Sequence, residues 1–459
     1  MRLGKIFDRF VEQSPISVMF RGLLENVFSE DRLNELFDRH AQRQYPRALM
    51  FSTMVDLLSV VVVGMRKSVH AAWKARSTEI EVSIKAVYDK LAGTELVVSE
   101  AFVRETTARL QPLLKANVRR GKKPIMSGYA ARILDGNHLA GTDRRLRELR
   151  RFGAAPLPGM SVAVLDPQQE LILEVFASKD AYESEYKMIA RVLNSVEAGQ
   201  LWLVDRGFCC AQWIEGVMDR HAAFIVRQHG TRPAWELTGK RCKTGVIGSG
   251  VVYEQPVRVW LSNGRETMLR RITLELVGAT RDGDREIHLL TNLPNRIGGG
   301  EIATAYSRRW NIETAFQELA TVLQSEINTL GYPGAALFGF CLAVVLYNVL
   351  SVIRSVASDV HREPLGERKL SLYYLSDEIA GTTRGMEIAI PEKHWSAAFG
   401  ELSTSQMRSV LYALAKNIRI DGFTTNPWTP KRPQPKRITN RRRPHLSTQR
   451  ILDERKHPP

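Results

Sequence analysis

Residues 306–320 read YSRRWNIETAFQELA. Ile312, Phe316 and Leu319 recur at steps of four and three, which puts them on one face of an amphipathic helix. Tyr306, Arg309 and Glu313 recur at three and four and share another face. A phenol, a guanidinium and a carboxylate in one row suit a site that holds metal ions and a phosphate together. The plain alternative is a surface helix with an i,i+4 Arg–Glu pair, which contributes little by itself. The rest of the chain decides between them.

At 459 residues the chain has room for two or three domains, and 44% apolar residues supply a sizeable core, which excludes a disordered chain. Lys and Arg number 65 against 49 Asp and Glu, a formal charge of +16. That balance points to phosphate-bearing partners, nucleic acid first and an anionic membrane second. Cys209, Cys210, Cys242 and Cys341 lack the spacing of a zinc site, and adjacent Cys209 and Cys210 are poor disulfide partners. They read as reduced thiols of a cytosolic protein. The opening MRLGKIFDRFVEQ is charged and helical, unlike a secretory signal. Residues 335–353 form a 19-residue stretch without a charge, close to membrane-spanning length. It follows the turn Tyr332-Pro333-Gly334 and contains Asn348, so a buried helix packed on a sheet is the favoured reading, with no membrane partner.

Residues 1–125 read as a helical N-terminal domain, a candidate for DNA binding, with no helix-turn-helix clear enough to name. A basic connector, Arg119-Arg120-Gly121-Lys122-Lys123, is either a solvated linker or a phosphate contact. From about 130, strands and helices alternate: strands at 131–134, 161–166, 170–176, 201–204 and 223–227, helices at 180–196 and 209–220. This order predicts an α/β domain over 126–365 with a mixed sheet. Residues 229–299 interrupt it with strand-like runs and the turns Asn263-Gly264 and Asp282-Gly283, a β-rich insertion. Residues 366–425 read as helical. The segment 426–459 is rich in Pro, Lys and Arg and reads as a disordered basic tail, with ten cations against Asp453 and Glu454 from Thr429 onward.

Three acids stand out within this frame. Asp135 and Asp205 each follow an apolar strand, and Glu313 lies on the helix. Carboxylates at strand ends meet at the rim of a sheet. Clustered carboxylates repel one another unless cations lie between them, and Mg²⁺ or Mn²⁺ suits all-oxygen donors. Two such ions about 4 Å apart can activate an attacking oxygen and stabilise a leaving one. That is phosphodiester chemistry, in keeping with a basic protein. Asp166, before Pro167, reads as a turn residue, Asp143 as a helix cap, and Glu318 as lying on a different face from Glu313.

The chain here resembles the DDE transposases of the insertion-sequence-four family. The resemblance rests on Asp135-Gly136-Asn137-His138-Leu139 ahead of Thr142-Asp143-Arg144-Arg145-Leu146, on Asp205-Arg206-Gly207-Phe208, and on Tyr306-x2-Arg309-x3-Glu313. Trp310 and Thr291-Asn292-Leu293 add to it. It implies an RNase H-like catalytic domain with strands inserted between the second and third acids. It also implies that Asp135, Asp205 and Glu313 are catalytic and bind Mg²⁺ or Mn²⁺, as two ions. Tyr306 and Arg309 would hold DNA phosphates, Trp310 would stack on a displaced base or sit in the core, and His138 would contact DNA or position a water. Partners would be terminal inverted repeats and target DNA, bound by a homodimer, in a bacterial cytoplasm at the nucleoid. One departure is Ala320, where the family carries a Lys seven residues after the Glu. The expected activity is end cleavage and joining of the 3′-hydroxyl to target DNA. The rivals are a metal-dependent nuclease without strand transfer and a DNA-binding inhibitor that has lost catalysis.

Overall fold

The computed structural model describes residues 3–44, 49–114, 124–142, 157–262, 264–280, 283–366 and 368–425. The connector at 119–123, Asp143 to Leu146, the turn positions Asn263 and Asp282, and the tail 426–459 lie outside the described residues.

Among the described residues, ten strands form one mixed sheet. They are β1 (Ala130–His138), β2 (Met160–Asp166), β3 (Leu171–Ser178), β4 (Gln200–Val204), β5 (Ala223–Arg227), β6 (Trp235–Leu237), β7 (Cys242–Ile247), β8 (Gly250–Trp260), β9 (Glu266–Leu276) and β10 (Glu286–Thr291). Their order is β3-β2-β1-β4-β5-β10-β9-β8-β6, with β7 paired to β8. β2 runs antiparallel to β1 and β3, whereas β4 is parallel to both β1 and β5. An order of 3-2-1-4-5 with the second strand reversed is the RNase H-like arrangement. The inserted strands do not form a separate sheet: β10 pairs antiparallel with β5 and carries β9 and β8 onto the same sheet. The end of β10 is clamped to β5, since Asn292 accepts from the Phe224 amide at 2.9 Å and donates to the Ala222 carbonyl at 2.9 Å.

Side chains alternate across the sheet. Ile133, Leu201 and Leu203 face a large core that also contains residues from Phe7 to Ile420, while Leu134, Trp202 and Val204 face a second core with Met188, Ile189 and Trp213. The large core is centred on the helix Pro333–Val360. Among the described residues it is the helix long and apolar enough to cross a membrane, and its most apolar window is wholly buried in the fold. Its one amide, Asn348, donates to the Ile172 carbonyl at 2.7 Å and to Thr107 Oγ1 at 2.8 Å, and accepts from the Ile172 N–H at 2.8 Å. Glu100 accepts from the Ala177 N–H at 2.8 Å. Side chains from two helices therefore satisfy backbone groups along the outer strand β3, an edge that would otherwise invite strand addition.

The helices Pro15–Val27, Phe51–Val62 and Leu96–Leu110 and, after the sheet, Leu372–Ala389 and Thr404–Ala415 contribute to the same core. Two expected helices differ. The helix expected at 180–196 is a 3-10 turn Glu185–Met188, one α-turn Ile189–Val192 and a second 3-10 turn Leu193–Ser195. Its apolar residues Met188, Ile189, Val192 and Leu193 still reach the second core. The single helix expected from 306 is two, Gly299–Ser307 and Trp310–Val322, joined by a tight turn in which the Arg309 N–H bonds the Tyr306 carbonyl at 2.9 Å.

Candidate active site

β1 is longer than its apolar run: it pairs with β2 out to His138, but with β4 only to Leu134, opposite Val204. Asp135 therefore sits where the ladder to β4 opens, and Asp205 follows the last residue of β4. In the parallel register of β1 and β4 the two acids follow directly on the last paired residues, Leu134 and Val204. By alternation both belong to the face of Ile133 and Leu203, the face on which Ile312, Ala315 and Leu319 of the helix Trp310–Val322 pack. The apolar stripe of 306–320 thus aims the row Tyr306, Arg309, Glu313 at the two strand ends.

Arg309 Nη1 donates to Asp135 Oδ2 at 2.6 Å, and Arg309 Nη2 donates to Glu313 Oε1 at 2.7 Å. The Tyr306 hydroxyl reaches Asp205 Oδ1 at 3.4 Å. The side chains of Arg309 and Asp135 are 9% and 16% exposed, so their pair is buried, whereas Glu313 at 37% faces outward. Burial pushes the Asp135 carboxyl up to about 6, with Arg309 opposing the rise and Asp205 adding to it. Burial alone would lower the Arg309 guanidinium; Asp135, then Tyr306, Asp205 and Glu313, outweigh it and raise it. Burial, and next Asp205, raises the Tyr306 hydroxyl.

Trp310 is 62% exposed, with the Arg309 guanidinium 5.5 Å from its ring centre, so it is a rim residue and not core. His138 lies exposed at the end of β1, and among the described residues it has no hydrogen bond to these acids. Ala320 is exposed. Glu318 turns away to Arg354 on the long helix at 3.0 Å, and Asp166 accepts from the Gln168 and Gln169 amides as a turn residue. Cys209 and Cys210 are buried in the second core.

One acid of the site has no signal in the sequence. Glu185 comes from the turn between β3 and β4, and burial, then Asp135 and Asp205, pushes its carboxyl up to about 7. Four carboxylates thus share one guanidinium. All are hard oxygen donors, the chemistry that Mg²⁺ and Mn²⁺ take. Among the described residues no three of them stand in a metal-holding cluster, and Arg309 occupies the space between Asp135 and Glu313. The donor chemistry of Asp135 and Asp205 fits a divalent ion.

Residues 141–348 match the family model described as the transposase DDE domain, a span that contains Asp205, Tyr306, Arg309 and Glu313 and begins six residues after Asp135. No curated protein matches the chain. A similar solved structure is the cryo-EM piggyBac transposase synaptic complex with hairpin DNA, which covers 84% of each chain at 8% identity with a TM-score of 0.37. So slight a likeness carries no argument. DDE transposases generally use divalent metal ions. By the family match, residues 141–348 are similar to the transposase DDE domain.

Proposed function

We propose that the chain is a DNA transposase of the insertion-sequence-four type. It binds the terminal inverted repeats of its element, cleaves them by metal-dependent phosphodiester hydrolysis, and joins the 3′-hydroxyl to target DNA. The observation that carries this reading is the meeting of Asp135 and Asp205, at adjacent strand ends, with the row Tyr306, Arg309, Glu313.

Asp135, Asp205 and Glu313 are the catalytic carboxylates that would hold Mg²⁺ or Mn²⁺. When bound, such ions supply Lewis-acid activation of the attacking and leaving oxygens. Arg309 neutralises two of the acids in the protein alone and is placed to turn its planar fork onto a DNA phosphate instead. Tyr306 presents its hydroxyl at Asp205 and adds a neutral donor for a phosphate oxygen. Exposed Trp310 offers a face on which a displaced base can stack, and His138 marks the DNA-facing end of β1. Two ends must be held together, so the working form is a homodimer on DNA, in the bacterial cytoplasm.

Ala320 favours a second reading, a DNA-binding inhibitor derived from a transposase. A labelled duplex carrying the element's end, with protein and Mg²⁺ or Mn²⁺, separates them. Cleaved and joined products that vanish in Asp135→Asn, Asp205→Asn and Glu313→Gln support the transposase. Cleavage without joining supports a nuclease, and binding without product in both metals supports the inhibitor.

A further inference from the structure

Glu185 approaches the site from the other face of the sheet: its turn packs Met188 into the second core, whereas the helix bearing Glu313 lies on the first. It reaches the rim through two absent side chains. A Cβ at Gly136 would lie 1.9 Å from Glu185 Oε1, and one at Gly207 would lie 2.6 Å from Glu185 Oε2. Both oxygens of one carboxylate therefore fill the side-chain space of two glycines. Gly136 directly follows Asp135, and Gly207 stands two residues after Asp205. Neither glycine has a positive φ, so the backbone does not demand glycine at either place; the Glu185 carboxylate is what fills the space.

Among the described residues Glu185 has no hydrogen-bond or ion-pair partner. Arg309 is engaged by Asp135 and Glu313, and Asp205 has the Tyr306 hydroxyl. Four acids and one guanidinium leave a local excess of three negative charges when all are ionised. A carboxylate held in such company without a partner is placed for a cation.

We propose that Glu185 is a fourth metal-holding carboxylate of this site, closing from the opposite face of the sheet on the ion at Asp135 and Asp205, with Gly136 and Gly207 bare so that it can. The proposal rests on the assignment of Asp135 and Asp205 as metal-holding residues.

The test is Mn²⁺ binding to the full-length protein without DNA, read by the electron paramagnetic resonance of free Mn²⁺. Glu185→Gln should weaken binding by about 10- to 100-fold. Gly136→Ala, whose Cβ displaces the flexible end of Glu185, should move affinity in the same direction. Glu183→Gln, which alters a surface acid paired with Lys187, should leave it unchanged. Melting without metal controls for misfolding: Glu185→Gln removes repulsion and should melt no lower than wild type. Wild-type affinity in Glu185→Gln together with loss in Asp205→Asn overturns the proposal and leaves the site standing. Unchanged affinity in both, or no Mn²⁺ bound by wild type, overturns the site assignment and this proposal with it.

Discussion

Arg309 Nη1 lies 2.6 Å from Asp135 Oδ2 although 174 residues separate them in the chain. The bond fixes the turn between two helices to the open end of β1. Arg309→Ala leaves buried acids facing one another, and should lower the unfolding free energy by about 3 kcal/mol or more in metal-free buffer. Mn²⁺ should recover part of it. Arg309→Lys keeps the charge but loses the two-pronged fork, and should recover less than half. Urea titrations with and without Mn²⁺ measure both; a loss below about 1 kcal/mol would contradict the bridging role.

Asn348 satisfies both backbone groups of Ile172 on the outer strand. Asn348→Leu keeps the bulk and strands the Ile172 N–H, while the carbonyl keeps the Thr107 hydroxyl at 3.3 Å, so it should cost about 1–3 kcal/mol. Hydrogen exchange at Ile172 should rise with it, and unchanged protection there would sink the idea that this amide closes the edge.

Glu378 packs between the helices Leu372–Ala389 and Pro15–Val27, where burial, partly offset by hydrogen bonds from Ser17, raises its carboxyl to about 7. The folded protein thus keeps a proton that the unfolded chain releases from about pH 4.5. The stability this gives is fully present below that pH and is lost as pH rises through about 7. Glu378→Gln should therefore stabilise the protein at pH 8, on the order of 2 kcal/mol, with no gain at pH 4. Melting curves across that range decide it: an equal effect at both pH values would place the cause elsewhere.

Trp310 and Ala320 are both exposed on the helix that carries Glu313. Trp310→Ala should change stability by less than about 1 kcal/mol and weaken binding to end DNA by about 1–3 kcal/mol, the contribution of one stacked base. Ala320→Lys lies two helical turns beyond Glu313 and should leave folding untouched. It should steepen the salt dependence of DNA binding by about one phosphate contact. An unchanged slope would show that position 320 does not face the DNA.

The strands at 161–166, 201–204 and 223–227 were legible to within a residue because each is an unbroken apolar run ended by a turn signal. The same logic put Asp205 at a strand tip, and helical spacing put Tyr306, Arg309 and Glu313 on one face. β1 ran past its expected end because its last four residues, Asp135 to His138, are paired on one side only and carry polar groups into the rim. The break at Arg308 and Arg309 left no mark on the spacing, since the turn is helical enough to preserve it. Glu185 was illegible for a different reason. Its place depends on the missing side chains of Gly136 and Gly207, far away in sequence, and a glycine beside an acid reads as an ordinary turn residue.

The strands β7 to β9 carry the helix Gly299–Ser307: a Cβ on Gly299 would come within 2.9 Å of Thr244 Oγ1 and 3.3 Å of Val252. Arg270 on β9 holds Glu254 at 2.7 Å and donates to the carbonyls of Leu293, Pro294 and Ile297, the segment leading into that helix. The long detour between the second and third acids is thus tied back to the site's frame at Arg270, whose guanidinium braces the segment leading into the helix that ends beside Tyr306.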